Sequence, residues 1–207
     1  MIKARLGHRL DAWLEQAFPW LARCPVSPNT LTVFGSLISG GAALAFGMGA
    51  LRTGGVLILA GGFFDLVDGV VARRLGRAST FGAFLDSTLD RLVDMGILFG
   101  ILVHFARTEA LGHLLLTGVA LIASVLVSYA KSRAERYIPV FEGGILERGE
   151  RLGLLAAGAI LGFLVPALWV VAIGSCVTVV QRFTLAYREM ERLDAAARAS
   201  HVENPAK

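Results

Sequence analysis

The chain has 207 residues, of which 55% are hydrophobic and only 17% charged, and its mean hydropathy is +0.65; this mix excludes an ordinary water-soluble domain, and no polar block is long enough for a second domain or extended disorder. The net charge of +4 does not point to nucleic acid, because the basic residues stand at the ends of apolar runs and form no stripe with aromatics. The expectation is a single all-α membrane domain over 1–207, a bundle whose 24 glycines let helices approach closely.

At the N-terminus, Ile2, Leu6, Leu10, Trp13, Leu14, Ala17, Phe18 and Leu21 recur at helical spacing, with Lys3, Arg5, Arg9, Asp11 and Glu15 elsewhere around the wheel. The spacing predicts an amphipathic helix over 1–23, lying in the membrane interface or packed on the cytoplasmic face of the bundle. A charged segment, not a short basic leader, precedes the first long apolar run, so no cleavable signal is expected. Cys24 and Cys176 show neither a CxxC nor a His pair nearby, which supports neither a disulfide framework nor a zinc site.

Six stretches are candidate spans: Thr30–Ala50, Gly54–Ala72, Phe81–Ala106, Leu111–Ala130, Leu152–Val165 and Ala167–Leu185. About 20 helical residues cross the hydrocarbon. The fifth stretch is short and must borrow Ile145 and Leu146 or insert Arg151 at the interface, while Pro166 reads as the turn into the sixth. After Leu185 the mixed charge of Tyr187–Ala199 can extend the last helix, and 200–207 reads as a flexible tail.

Basic residues orient the bundle. The N-terminal segment, the turns between spans two and three and between four and five, and the C-terminal segment hold seventeen Lys and Arg, while the opposite side holds Arg52 and Arg107. By the positive-inside rule both termini face the cytoplasm of a multi-pass protein in the cell membrane.

The second span carries Asp65 and Asp68, and the third Asp86 and Asp90, with Asp94 a turn further. A carboxylate at a helix centre costs about 2.5–3.5 kcal/mol on insertion, so these residues require partners. Spacings of i,i+3 and i,i+4 place each pair on one helix face. Because the two spans run in opposite directions, Asp68 should meet Asp86 and Asp65 should meet Asp90 around the Arg73–Thr80 turn. Arg91 adjoins Asp90 but points about 100° away. Hard oxygen ligands in this number suit two Mg²⁺ or Mn²⁺ ions, a known device for phosphoryl chemistry. The alternative is a proton- or cation-conducting carboxylate chain in a carrier.

The string from Asp65 reads D-x2-D-G-x2-A-R-x8-G-x3-D-x3-D through Asp65, Asp68, Gly69, Ala72, Arg73, Gly82, Asp86 and Asp90. It resembles the signature of the CDP-alcohol phosphotransferases at every defined position, and six spans with cytoplasmic ends extend the resemblance over nearly the whole chain. The glycines and Ala72 keep helix faces open, whether for packing or for a nucleotide, and Arg73 at a helix end can meet phosphate oxygens. The resemblance implies that Asn29, Thr32, Asp68, Gly69, Ala72, Arg73 and Gly82 surround a CDP-lipid, the first two within a P-N-x2-T segment at Pro28. It further implies attack by an acceptor alcohol on the lipid-side phosphate of CDP-diacylglycerol, release of CMP, and Asp90 as general base, with a metal-only role for Asp90 as the other reading.

Lys131 ends the fourth span, Arg151 opens the fifth, and Arg182 lies near the cytoplasmic end of the sixth, so three cations are expected on the face where the aspartates open. Topology anchors would account for any one of them. The strings SYAKSRAE, ERGER and VQR around them resemble those of bacterial family members that use inositol phosphate, where the matching Lys and two Arg bind its phosphate. Arg133 is a candidate fourth member or a headgroup contact. A glycerol 3-phosphate acceptor would equally suit such a cradle. A homodimer is expected from the family resemblance, with Gly96-x3-Gly100 and Gly158-x3-Gly162 as small-residue faces.

Overall fold

The computed structural model describes residues 27–74, 79–138 and 140–203, apart from the side chains of 72–74, 197 and 199–203. The amphipathic helix expected over 1–23 lies outside the described residues. Within them the regular structure is all helix: α1 (Pro28–Gly47), α2 (Leu51–Arg74), α3 (Thr80–Arg107), α4 (Leu111–Ala134), α5 (Arg148–Leu161) and α6 (Leu164–Glu203). The helices match the six apolar stretches in order.

Four of them, α1, α2, α4 and α6, are long and apolar enough to cross a membrane. The other two fall short for different reasons. At 28 residues α3 has the length, but Asp86, Asp90, Arg91 and Asp94 interrupt its apolar character. At 14 residues, α5 rises about 21 Å, less than the hydrocarbon thickness of about 30 Å.

The chain divides into two compact units at His104 and Phe105. In the first, α1 and α2 pack with their backbones close together. A methyl group at Gly61 would overlap the Ser39 hydroxyl, and one at Gly54 would lie 2.8 Å from the Phe46 ring. A methyl at Gly100 of α3 would overlap the Ala43 carbonyl oxygen of α1, and Gly96 faces the Ala43 methyl at 3.7 Å. Ala42, Phe46, Ile97 and Ile101 form the buried centre of this unit.

In the second unit α6 packs against α4 and α5, with Ala120, Val127, Leu155, Ala156, Leu168 and Val171 buried. The turn from α5 to α6 is made by Gly162, whose φ of +83° is left-handed and which caps α5 through its N–H to the Gly158 carbonyl. Pro166, expected to mark that turn, instead sits in the first turn of α6, where its missing N–H has no intrahelical partner to lose. A methyl at Gly158 would lie 2.5 Å from the Ala167 methyl. Three of the four glycines proposed as intermolecular faces, Gly96, Gly100 and Gly158, therefore pack inside the chain, and Gly162 serves as a helix cap. Beyond the apolar stretch that ends at Leu185, α6 continues to Glu203, with Leu185, Ala186 and Met190 covering Ala134, Ile138 and Phe141. It thereby enters the segment read as a tail, of which 204–207 lie outside the described residues.

Candidate active site

The first unit brings together carboxylates from two helices. Oxygens of Asp65, Asp68 and Asp86 all lie within 4.8 Å of one another, with Asp68 buried and the other two half-buried. The i,i+3 pair on α2 supplies two of them, and α3 supplies the third. Asp65 thus joins Asp68 and Asp86. Asp90 stands outside this group, half-buried one turn further along α3, and Asp94 is buried beyond it. Arg91 folds back to donate to the Ser87 carbonyl of its own helix, consistent with a side chain directed away from the cluster.

The chemistry of this donor set fits divalent metal. Asp68 Oδ2 is buried and has no hydrogen-bond partner, a costly state for a carboxylate oxygen facing two other carboxylates. A hard cation satisfies all three at once.

Around the cluster the P-N-x2-T segment takes shape. Ser27 caps α1: its hydroxyl accepts from the Thr30 N–H at 3.2 Å, and Pro28 occupies the first turn. Asn29 and Thr32 are left for other contacts. The Thr32 hydroxyl, buried, lies 3.0 Å from the Pro28 carbonyl and also within hydrogen-bonding reach of the Asp68 carboxylate. Asn29 reaches α3 at Gly82, where a Cβ would stand 2.9 Å from Asn29 Oδ1, and the Gly82 N–H donates to the Ser79 hydroxyl at 2.9 Å. Gly69 is half-buried on α2, and its backbone bonds to Asp68. Ala72 and Arg73 end α2, and their side chains lie outside the described residues.

In the second unit two of the four candidate cations are buried: Arg151 at 3% and Arg182 at 4% exposure. Arg182 donates through Nε to the Gly143 carbonyl at 2.9 Å and through Nη1 to the Val127 carbonyl at 2.5 Å, and Arg151 donates through Nη1 to Leu146 at 3.3 Å. Arg151 also acts electrostatically on Arg182, together with Glu147 and Glu135. At Arg182 the attraction of Glu147 is larger than the repulsion of Arg151, so the two guanidinium groups can share this buried place. Lys131 is half-exposed and lies 3.8 Å from Glu135, while Arg133 is exposed. The sequence reading gave the two acids no role, although Glu135 closes the S-Y-A-K-S-R-A-E string and Glu147 opens E-R-G-E-R.

Residues 25–188 match the family model for CDP-alcohol phosphatidyltransferase. The chain belongs to this family. The transferase is 41% identical over 198 residues to a phosphatidylinositol phosphate synthase of Streptomyces avermitilis, covering 88% of this chain and 81% of that one. It is 38% identical over 182 residues to an archaetidylinositol phosphate synthase of Pyrococcus horikoshii, covering 86% and 93%. Among solved structures, Mycobacterium tuberculosis phosphatidylinositol phosphate synthase with CDP-DAG bound aligns at a TM-score of 0.74 and 30% identity, over 88% of the transferase and 94% of that chain. The same enzyme in complex with manganese and citrate aligns at 0.76 and 32%, over 83% and 88%. The transferase is thus an integral membrane enzyme of phospholipid synthesis, and the motif spanning Asp65 to Asp90 lies within the matched residues.

Proposed function

We propose that this transferase moves the phosphatidyl group of CDP-diacylglycerol to a hydroxyl of inositol phosphate, releasing CMP and forming phosphatidylinositol phosphate. The observation that carries the reading is the convergence of Asp65, Asp68 and Asp86 in a chain whose relatives include synthases named for inositol phosphate products. These carboxylates, with Asp90 completing the set, would hold two Mg²⁺ or Mn²⁺ ions, which supply charge neutralisation for the diphosphate. Asn29, Thr32, Gly69, Ala72, Arg73 and Gly82 line the CDP-lipid position. Asp90 accepts the proton of the acceptor hydroxyl as its oxygen attacks the lipid-side phosphorus and the bond to CMP breaks. Arg151 and Arg182, with Lys131 and Arg133, bind the acceptor phosphate; their burial favours a dianion over a neutral alcohol.

The same reading makes α3 and α5 spans as well, α3 because its carboxylates are turned to partners within the protein, and α5 with Arg151 at the interface. It places both termini and the active site on the cytoplasmic side, by the distribution of basic residues, and the 1–23 helix in that interface. A homodimer belongs to it on family resemblance, the four glycines being engaged within the chain. A monomeric mass for the native protein in gentle detergent would overturn that part.

Purified protein supplied with CDP-diacylglycerol and either inositol phosphate or glycerol 3-phosphate, with the product lipid identified by mass, tests the acceptor. Better turnover of glycerol 3-phosphate would overturn inositol phosphate and leave the family intact. Lys131→Ala and Arg151→Ala should each raise the KM for inositol phosphate by about ten- to a hundred-fold, the loss of one charge-assisted contact. The KM for CDP-diacylglycerol should hold. Wild-type kinetics in both variants with every phosphorylated acceptor would reduce these cations to topology anchors.

A further inference from the structure

Between α4 and α5 the chain passes through Gly143–Leu146, and this strap is fastened along one face of α6. The Ile145 N–H donates to Gln181 Oε1 at 3.2 Å, and the Leu146 N–H to Thr178 Oγ1 at 3.1 Å. The fully buried Thr178 hydroxyl donates in turn to the Gly174 carbonyl at 2.7 Å. The strap lies close enough that a Cβ on Gly174 would stand 2.9 Å from Leu146, and one on Gly143 2.9 Å from Leu185. Gly174, Thr178, Gln181, Arg182 and Leu185 form one stripe at helical spacing. Gly144 has a φ of +112°, and a methyl there would overlap the Thr178 methyl, so the bend requires glycine.

The carbonyls of this strap hold the two buried arginines, Gly143 receiving Arg182 Nε and Leu146 receiving Arg151 Nη1. A guanidinium presents its N–H groups in a rigid plane, so fixing part of the group aims the rest. We propose that the Gly143–Leu146 strap sets the affinity for the acceptor phosphate, with Thr178 and Gly144 as positioning residues that orient the Arg151 and Arg182 guanidinium groups through it. This rests on the reading that those arginines bind the acceptor. Thr178 acts through the Leu146 peptide: without its hydroxyl, the Leu146 N–H loses its acceptor, the strap shifts, and the Leu146 carbonyl moves away from Arg151.

The test is initial-rate kinetics on the intact, metal-loaded protein, with CDP-diacylglycerol and inositol phosphate each varied, for Thr178→Val, Thr178→Ser, Gly144→Ala and Arg151→Ala. Thr178→Val should raise the KM for inositol phosphate by about ten-fold, while kcat and the KM for CDP-diacylglycerol stay within about twofold of wild type. Thr178→Ser, which keeps the hydroxyl, should restore the acceptor KM. Gly144→Ala should give the same selective rise by a different route, and it decides the matter if Thr178→Val does not fold. An unchanged acceptor KM in both strap variants, beside a raised one in Arg151→Ala, overturns the strap and spares the acceptor reading. An unchanged KM in Arg151→Ala overturns both. A fall in kcat with both KM values altered alike, or no rescue by serine, marks a general structural role and also overturns the strap.

Discussion

Asp90→Asn should stop phosphatidyl transfer while leaving both substrates bound. Asparagine matches the size of aspartate at this half-buried position on α3 but cannot accept the acceptor's proton. General-base catalysis contributes about 10²–10⁴-fold, so kcat should fall by that factor, with the KM for each substrate little changed. Its position outside the cluster of Asp65, Asp68 and Asp86 supports a role beyond the metal binding it would share with them. Excess Mn²⁺ separates the alternatives. If Asp90 only holds metal, raising the ion concentration should recover much of the lost rate, whereas a missing base cannot be supplied that way.

Asp68→Asn is expected to abolish metal-dependent turnover by a different route, and chelation of the wild type should reproduce it. Asp68 is the buried member of the cluster, and its Oδ2 has no hydrogen-bond partner. Divalent metal supplies several kcal/mol of charge stabilisation in reactions of this kind, equivalent to about 10³-fold or more in rate. Melting temperature gives a readout independent of catalysis. Mn²⁺ should raise that of the wild type, because an ion that binds only the folded state stabilises it, and should raise that of Asp68→Asn far less. Without metal the variant should melt no lower than the wild type, since it has one fewer charge in a cluster of like charges. Full activity in Asp68→Asn, or undiminished wild-type turnover in chelator, contradicts the metal reading.

The aspartate cluster was legible because it follows from local rules. Spacings of i,i+3 and i,i+4 fix the helix face, and an antiparallel connection fixes the depth, so Asp68 and Asp86 could be paired without coordinates. Asp65 escaped that symmetry: a helix places its residues on a curved surface, and three side chains from two helices can gather at one point while the fourth does not. The glycine faces were misread because spacing shows that a surface is small without showing what fills it; Ala43 and Ala167 fill three of the four positions. Capping of α1 by Ser27 depends on where the first helical turn closes, a boundary that sequence defines only loosely. The fastening of Gly143–Leu146 to α6 pairs residues more than thirty positions apart. Its local trace is the Gly143-Gly144 pair, which marks a bend and names no partner.

The acidity of α3 also bears on how the protein is made. Asp86, Asp90, Arg91 and Asp94 in the body of one helix would cost on the order of 10 kcal/mol if it partitioned from the translocon into lipid by itself. In the proposed topology it therefore enters the bilayer leaning on helices already there. Synthesis proceeds in the order that permits this: α1 and α2 emerge first, and Ala43 of α1 meets Gly96 and Gly100, a seam that requires no polar partner. Biogenesis and catalysis thus ask opposite things of the same helix, whose carboxylates hinder insertion and serve the reaction. The small-residue seam on α1 helps reconcile them.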